Sequence, residues 1–238
     1  MRIAAPALAL ALFAAPAAAA PVDARDHDHF WLWAGVEPQP VLRQAHSLYI
    51  LAGEVTARGG PVRLIGQRAA APRIRGPEIW LAVRVETLRW PRPVYDQLLA
   101  TLARWRAAGG RIVGVQIDFD ARTRHLADYA AFLAYLRARL PADCRLGITG
   151  LLDWSANGDP AGLAALAGVV DEAALQIYQG RRVIPGYERY LATLDRLPLP
   201  FRIGILQGGD WTPPPGLTSN RNYRGTIVFL VNPAPPRP

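Results

Sequence analysis

A single cysteine, Cys144, stands in the whole 238-residue chain, so no internal disulfide is available in any compartment. It opens an apolar stretch with nothing nearby to lower its pKa, which reads as a buried structural thiol and not a nucleophile. Lysine is absent: all 27 basic residues are arginine, against 19 acids, for a formal charge of +8. Such an excess can draw an anionic partner. The arginines are nevertheless scattered singly or in pairs (Arg104 and Arg106, Arg137 and Arg139, Arg181 and Arg182), without a run or an RNA-binding motif. A solvated surface is therefore the reading, and nucleic acid is not an expected partner. No apolar stretch after Ala20 is long enough to span a bilayer. No block of roughly 20 to 50 residues repeats, which disfavours a solenoid.

Met1 and Arg2 precede an Ala-rich apolar run to Ala20, with small residues at Ala17 and Ala19. This is the layout of a secretory signal peptide, residues 1–20, and implies export to the periplasm or the extracellular space. Pro6, Pro16 and the dominance of alanine over leucine weigh against an uncleaved anchor, and no cysteine near the cleavage point could carry a lipid. Cleavage removes Arg2 and leaves 26 arginines against 19 acids, or +7, with no stable membrane insertion expected afterwards. Residues 21–29, which hold Asp26, His27, Asp28 and His29, read as a flexible lead-in and not as a metal site. The span 30–233 suits a single barrel domain, and 234–238 read as a disordered tail.

What the chain does have is a series of apolar strands that gain polarity toward their C-terminal ends. The spacing predicts strands over Phe30–Val36, Ser47–Ala52, Glu78–Thr87, Ile112–Asp120, Arg145–Leu151, Ala173–Tyr178, Phe201–Leu206 and Thr226–Val231. A helix is predicted over Val94–Ala108, opened by Pro93 and stopped by Gly109 and Gly110, and another from Thr123 as cap to Arg139. Asp159 and Pro160 open a short helix to Gly168, and a further short one begins near Pro185. Eight strand candidates alternating with helices or loops give the α/β class and the count of a (β/α)8 TIM-type barrel. Its first units look degenerate: 37–46 leaves room for only a short helix, and 56–77 is rich in Gly, Pro and Arg without helical periodicity.

The fourth strand, Ile-Val-Gly-Val-Gln-Ile-Asp-Phe-Asp, is the most informative stretch. Alternation puts Ile112, Gly114, Gln116, Asp118 and Asp120 on one face and Val113, Val115, Ile117 and Phe119 on the other. A doubly wound sheet buried on both faces does not explain a face that ends in two carboxylates, whereas the interior row of a barrel opening into its mouth does. The residues expected at that mouth include Arg84, Glu86, Gln116, Asp118, Asp120, Asp153, Trp154, Gln176, Tyr178, Gln179, Gln207, Asp210, Trp211 and Asn232. Acids and amides bond hydroxyls, indoles stack on sugar faces and paired carboxylates cleave glycosidic bonds, so a polysaccharide or oligosaccharide is the expected partner. Histidine ligands and a serine elbow are missing from this set, so neither metal nor cofactor is called for.

Asp118 and Asp120 project the same way, and like charges that near raise one pKa and keep a proton available for a leaving group, the logic of a general acid and its helper. Glu86 or Asp153 would supply a second carboxylate, while Tyr178, Trp154 and Trp211 would hold the sugar. The competing reading makes Asp118 a structural partner of Arg84, and the protein a catalytically inactive, glycan- or protein-binding barrel. The chain is expected to act as a monomer.

Val113–Asp120 resembles the strand-four signature DGxDxDxE of glycoside hydrolase family 18, the chitinase-like barrels, and Gln176-Ile-Tyr178-Gln179 resembles that family's MxYD. The resemblance implies that Asp118 orients a substrate acetamido group, Asp120 is the acid/base, and Tyr178 helps hold an oxazolinium intermediate. Val113 and Gln116 stand where the family has acids, Asp120 is one methylene shorter than the family's glutamate, and Gln179 replaces an aspartate. Over nearly the whole mature chain the sequence is similar to the bacterial domain of unknown function 3142. The carriers are Phe30-Trp-Leu-Trp-Ala-Gly35, Val83-Arg-Val-Glu-Thr87, Gln116-Ile-Asp-Phe-Asp-Ala121, Ile148 to Pro160, Gln176 to Arg181 and Gln207-Gly-Gly-Asp-Trp211. That likeness implies an exported barrel of unassigned activity.

Overall fold

The computed structural model describes residues 20–67 and 74–232. The expected tail 234–238 and, apart from Ala20, the expected signal peptide lie outside the described residues. Eight strands run parallel in chain order: β1 (His29–Leu32), β2 (Ser47–Thr56), β3 (Glu78–Val85), β4 (Arg111–Asp118), β5 (Arg145–Gly150), β6 (Glu172–Gln176), β7 (Phe201–Leu206) and β8 (Tyr223–Phe229). Each pairs with the next, and β8 pairs with β1 through Val228 opposite Phe30, which closes the ring. The fold is the expected (β/α)8 barrel.

Three helices cover the third to fifth connections: α1 (Arg92–Ala107), α2 (Leu126–Arg137) and α3 (Pro160–Ala167). Pro93 sits in the first turn of α1, where its missing N–H costs nothing, and Val94, Leu98, Leu102 and Trp105 form the face buried on the sheet. Asp159 caps α3 as expected, its carboxylate accepting the Gly162 N–H at 2.7 Å. Thr123 does not cap α2. The helix starts three residues later, after a turn closed by the His125 N–H on the Arg122 carbonyl, with His125 as an N-cap that makes no side-chain capping hydrogen bond.

The degenerate units take a specific form. The first connection holds only a 3-10 turn, Pro40–Gln44. In the second, β2 runs past the barrel and folds back against an antiparallel strand, Arg63–Gly66, with Gly53 opposite Gly66. The buried Leu64 on that strand and the bond from Gln97 Nε2 to its carbonyl, 3.0 Å, seat the hairpin on α1. A hairpin thus covers part of the barrel wall that a helix covers in a regular unit.

Residues 21–29 are not the free lead-in that their polarity suggests. Ala20–Pro21 pair antiparallel with Asp210–Trp211 beyond the end of β7. The Val22 N–H donates to the Gly209 carbonyl, the Gly208 N–H donates to that of Val22, both at 2.9 Å, and Val22 and Ala24 are buried. Backbone pairing, these two buried side chains and the bonds from Gln44 Nε2 to the Arg25 and His27 carbonyls, 2.8 and 2.7 Å, together dock it.

The barrel interior is layered from the strand starts upward. At the N-terminal ends Glu78 meets Arg111 at 3.0 Å and Arg145 at 3.3 Å, while Glu172 accepts the Tyr49 hydroxyl at 2.5 Å and Arg202 Nε at 3.1 Å. Above lie three large rings: Tyr49 stacks on Trp80 with centroids 5.4 Å apart, and Trp31 meets Tyr49 edge-on at 6.0 Å. Glycines across the barrel make room for them. A Cβ at Gly114 would lie 2.6 Å from Trp80 ring carbons and 2.8 Å from the Arg145 carbonyl oxygen, and one at Gly204 would lie 2.7 Å from the Trp31 ring.

The alternation along β4 is interrupted once. Ile79 faces Ile112 but Trp80 faces Gly114, so Val113 is an extra residue in the ladder. Ile112 therefore joins the layer under the helices instead of the interior row, and Val113 packs against the interior rings. Gly114, Gln116 and Asp118 keep the expected inward row. Since a Cβ at Gly114 would meet fixed backbone as well as a clamped ring, Gly114→Ala is expected to lower stability by about 1–3 kcal/mol, the usual cost of overpacking. A shift of the denaturation midpoint measures this, and an unchanged midpoint would show that the Trp80 ring can move aside.

Candidate active site at the barrel mouth

Asp118 is the last residue of β4 and half-buried, and the Thr149 hydroxyl of β5 donates to its Oδ1 at 2.8 Å. Its pKa is pushed up to about 6, first by burial, against the Thr149 hydrogen bond, and then by the nearby Asp120 charge, with Arg84 pulling the other way. Like-charge repulsion, the cause read from the sequence, is thus present but secondary. Arg84 lies opposite Asp118 in the ladder and is exposed. It forms no ion pair among the described residues, so the Arg84–Asp118 bridge of the structural reading is not seen.

Beneath Asp118 the interior row continues with Gln116, completely buried, whose Oε1 accepts the Trp31 indole N–H at 2.7 Å. Its Nε2 is buried with no hydrogen-bond partner among the described residues. The Tyr178 hydroxyl is likewise buried and unpartnered, its pKa raised by burial and by the Asp118 charge. Both are covered donors without an acceptor among the described residues, and a buried donor left unpaired costs about 1–3 kcal/mol. Thr149 and Trp31 were not singled out as site residues in the sequence. Thr149 sits on an inward row of β5 between Gly147 and the strand end, the same kind of row that exposed Asp118.

Asp120 lies two residues past the end of β4 and is exposed, so strand alternation no longer fixes its direction. Gln176 closes β6 and is half-buried opposite Gly204. Asp153 follows β5, is half-buried, and has its Oδ1 buried without a partner, which keeps it a candidate second carboxylate.

Several other residues have different occupations. Glu86 is taken up at the rim by Arg58 at 2.5 Å and by the Thr56 hydroxyl, so it is not a free second acid. Trp154 is not a sugar platform. It is wholly buried under the sheet, its indole N–H on the Ala121 carbonyl at 3.0 Å and its ring edge-on to Tyr129. Asn232 ties down the loop after β1, accepting the Glu37 N–H and donating to the Gly35 carbonyl, both at 2.8 Å. Gln207 exchanges bonds with the Gln39 amide at 2.8 and 3.2 Å and accepts the Val231 N–H at 3.0 Å. Trp211 stacks on Tyr187 with centroids 5.9 Å apart. Asp210 and Gln179 are exposed, Gln179 in a short ribbon opposite Arg182.

Residues 83–186, which carry Arg84, Gln116, Asp118, Asp120, Asp153 and Tyr178, match the model of a family described as a domain of unknown function, DUF3142. No curated protein matches the chain. Among solved structures, the barrel resembles the chitinase domain of the spore coat protein CotE from Clostridium difficile, at 12% identity and a TM-score of 0.50, over 78% of this chain and 69% of that one. It also resembles a tamarind chitinase-like lectin, at 10% identity and a TM-score of 0.51, over 85% of this chain and 94% of the lectin. The Bacillus cereus spore cortex-lytic enzyme SleL matches at 14% identity and a TM-score of 0.49, over 74% of this chain. The chain spans about half (49%) of that enzyme's length. At such identities the likeness is one of fold, the (β/α)8 barrel that the strand order already shows.

The raised Asp118 pKa has a consequence for stability. A carboxyl that binds its proton more tightly folded than unfolded adds stability below its ordinary pKa of 3.8, and that contribution is lost as pH rises to about 6. Two-odd pH units correspond to about 3 kcal/mol at most. Asp118→Asn is therefore expected to gain stability relative to the parent between pH 4 and pH 7.5. Paired denaturation curves at the two values test this, and an identical pH dependence in both proteins would mean that Asp118 is ionised without cost.

Proposed function

We propose that the protein is exported, binds a polysaccharide across the strand ends around Asp118 and hydrolyses a glycosidic bond there. The supporting observation is the half-buried Asp118, held by Thr149 above two unpartnered donors, Gln116 Nε2 and the Tyr178 hydroxyl. Both donors are covered, so a substrate meets Asp118 above them and an enclosed water is their natural acceptor. A carboxyl with a pKa near 6 holds a proton for part of the time around neutrality, so Asp118 can donate a hydrogen bond to a sugar substituent as well as accept one. In this reading Asp120, on the open side, gives a proton to the leaving glycosidic oxygen and takes one back from water, and Asp118 orients the ring and tunes Asp120. Asp153 and Gln176 would contact the sugar from β5 and β6. The CotE chitinase domain and the tamarind lectin, one named for an enzyme and one for a binder, share this fold.

The second reading is a barrel that binds glycan without cutting it. It is favoured by Asp120 itself, which is exposed, short for the task, and fixed by no hydrogen bond among the described residues.

The two readings separate on products. Wild-type protein incubated with chitin, peptidoglycan and bacterial exopolysaccharides is expected to release new reducing ends, and Asp120→Asn to lose about 100-fold or more of that activity while still binding, the usual weight of one acid/base group. Retained glycan binding with no product from the wild type would establish the second reading. Full activity in Asp120→Asn would remove that residue from the mechanism.

A further inference from the structure

We propose that the cavity beside the mouth, over the ends of β7 and β8, is a subsite for a carboxylate-bearing sugar ring, so that the glycan this barrel reads is acidic. The inference rests on the glycan-binding reading above and names the substrate class for it. The cavity has a volume of about 410 Å³, within the usual range of ligand pockets of about 300–1,000 Å³ and roomy enough for a pyranose ring. Leu206, Val183 and Val231 supply apolar surface for the carbon face of a ring, and Arg181 and Arg182 both stand in its lining.

Neither arginine meets a carboxylate at ion-pair distance among the described residues. Arg181 is anchored by Nη2 on the Asn232 carbonyl at 2.7 Å, which leaves the rest of its donor fork for a ligand. A planar guanidinium matches a carboxylate with two parallel bonds, a geometry a hydroxyl cannot return. Asp210 in the same wall leaves a net positive charge with an acceptor for sugar hydroxyls. The cavity is kept open by glycine: a Cβ at Gly209 would lie 2.7 Å from a Val183 methyl, and Gly208 holds φ +73°.

The cavity is joined to the candidate site through one short ribbon. Val183, in the cavity lining, stands opposite Tyr178, whose hydroxyl feels the Asp118 charge. The cavity and the candidate site thus share the two sides of one short ribbon. The pair Arg181 and Arg182, read from sequence as plain solvated surface, acquires a direction from this placement.

The test is titration calorimetry of the full chain with tetragalacturonate, tetramannuronate and a hyaluronate tetrasaccharide, each beside its carboxyl-reduced counterpart, with chitotetraose and inorganic phosphate as further probes. At least one acidic tetrasaccharide is expected to bind tenfold or more tighter than its reduced form, and to weaken with added salt. The double variant Arg181→Gln, Arg182→Gln should lose that difference while melting at the wild-type temperature, and Arg181→Lys, Arg182→Lys should recover only part of it. Equal affinity for acid and reduced forms, an unaffected double variant, or phosphate competing as well as the uronates would overturn the carboxylate subsite. Chitotetraose binding that Tyr178→Phe weakens and the arginine variants leave alone would retain the glycan reading and remove this one. No saccharide binding at all would remove both.

Discussion

The bond from the Trp31 indole N–H to Gln116 Oε1, 2.7 Å and wholly buried, is the constraint around which the interior is arranged. It joins β1 to β4 across the barrel and fixes two bulky groups at once. Trp31 can reach Gln116 only because Gly204 leaves space beside it, and Trp80 can stack on Tyr49 only because Gly114 does the same. The rings fill the lower interior. Side chains that follow on the same rows, Asp118 and Thr149, have no room to turn down and must stand toward the mouth. Positioning at the top is thus a consequence of packing at the bottom.

That arrangement also decides the electrostatics. The ion pairs among Glu78, Arg111, Arg145, Glu172 and Arg202 lie at the strand starts, and the aromatic layer separates them from Asp118. Asp118 therefore answers to its own surroundings: burial and Asp120 raise its pKa, while Thr149 and Arg84 lower it. Burial wins because one hydrogen bond from a neutral hydroxyl replaces only part of the hydration a carboxylate loses.

The sequence made the barrel legible wherever one physical rule acted alone. Strand β4 could be read because its inward row is small at Gly114, amide at Gln116 and acidic at Asp118, and α1 because its proline, its apolar stripe and its terminal glycines agree. Failures came where two rules competed. An indole at a strand end suits a sugar face, but a helical turn after β5 carries Trp154 under the sheet, where its N–H finds the Ala121 carbonyl. Glu86 continued an inward row, yet the long hairpin of β2 brings Thr56 and Arg58 to it, a pairing no local pattern announces. The lead-in is polar by composition, yet backbone pairing with residues 208–211 and the buried Val22 and Ala24 hold it in place. The bulge at Val113 is equally silent in sequence, since valine and isoleucine suit either face.

Gln116 shows most clearly how this interior differs from one built on a ladder of acids. An acid at that position would have to share a proton with Asp118 or bury a second negative charge under it, and the pair would titrate as a unit. The amide carries no proton to share. Its oxygen is committed to Trp31, which turns its NH2 away as a fixed donor and leaves Asp120 as the like charge that Asp118 feels. Thr149 then takes over the part of a hydrogen-bonding neighbour, and it can donate to the ionised carboxylate or accept from the protonated one. The proton balance of the mouth is therefore set at Asp118, with Thr149 able to serve both states, and an exchange of glutamine for aspartate in the row below would alter it more than any change at the rim.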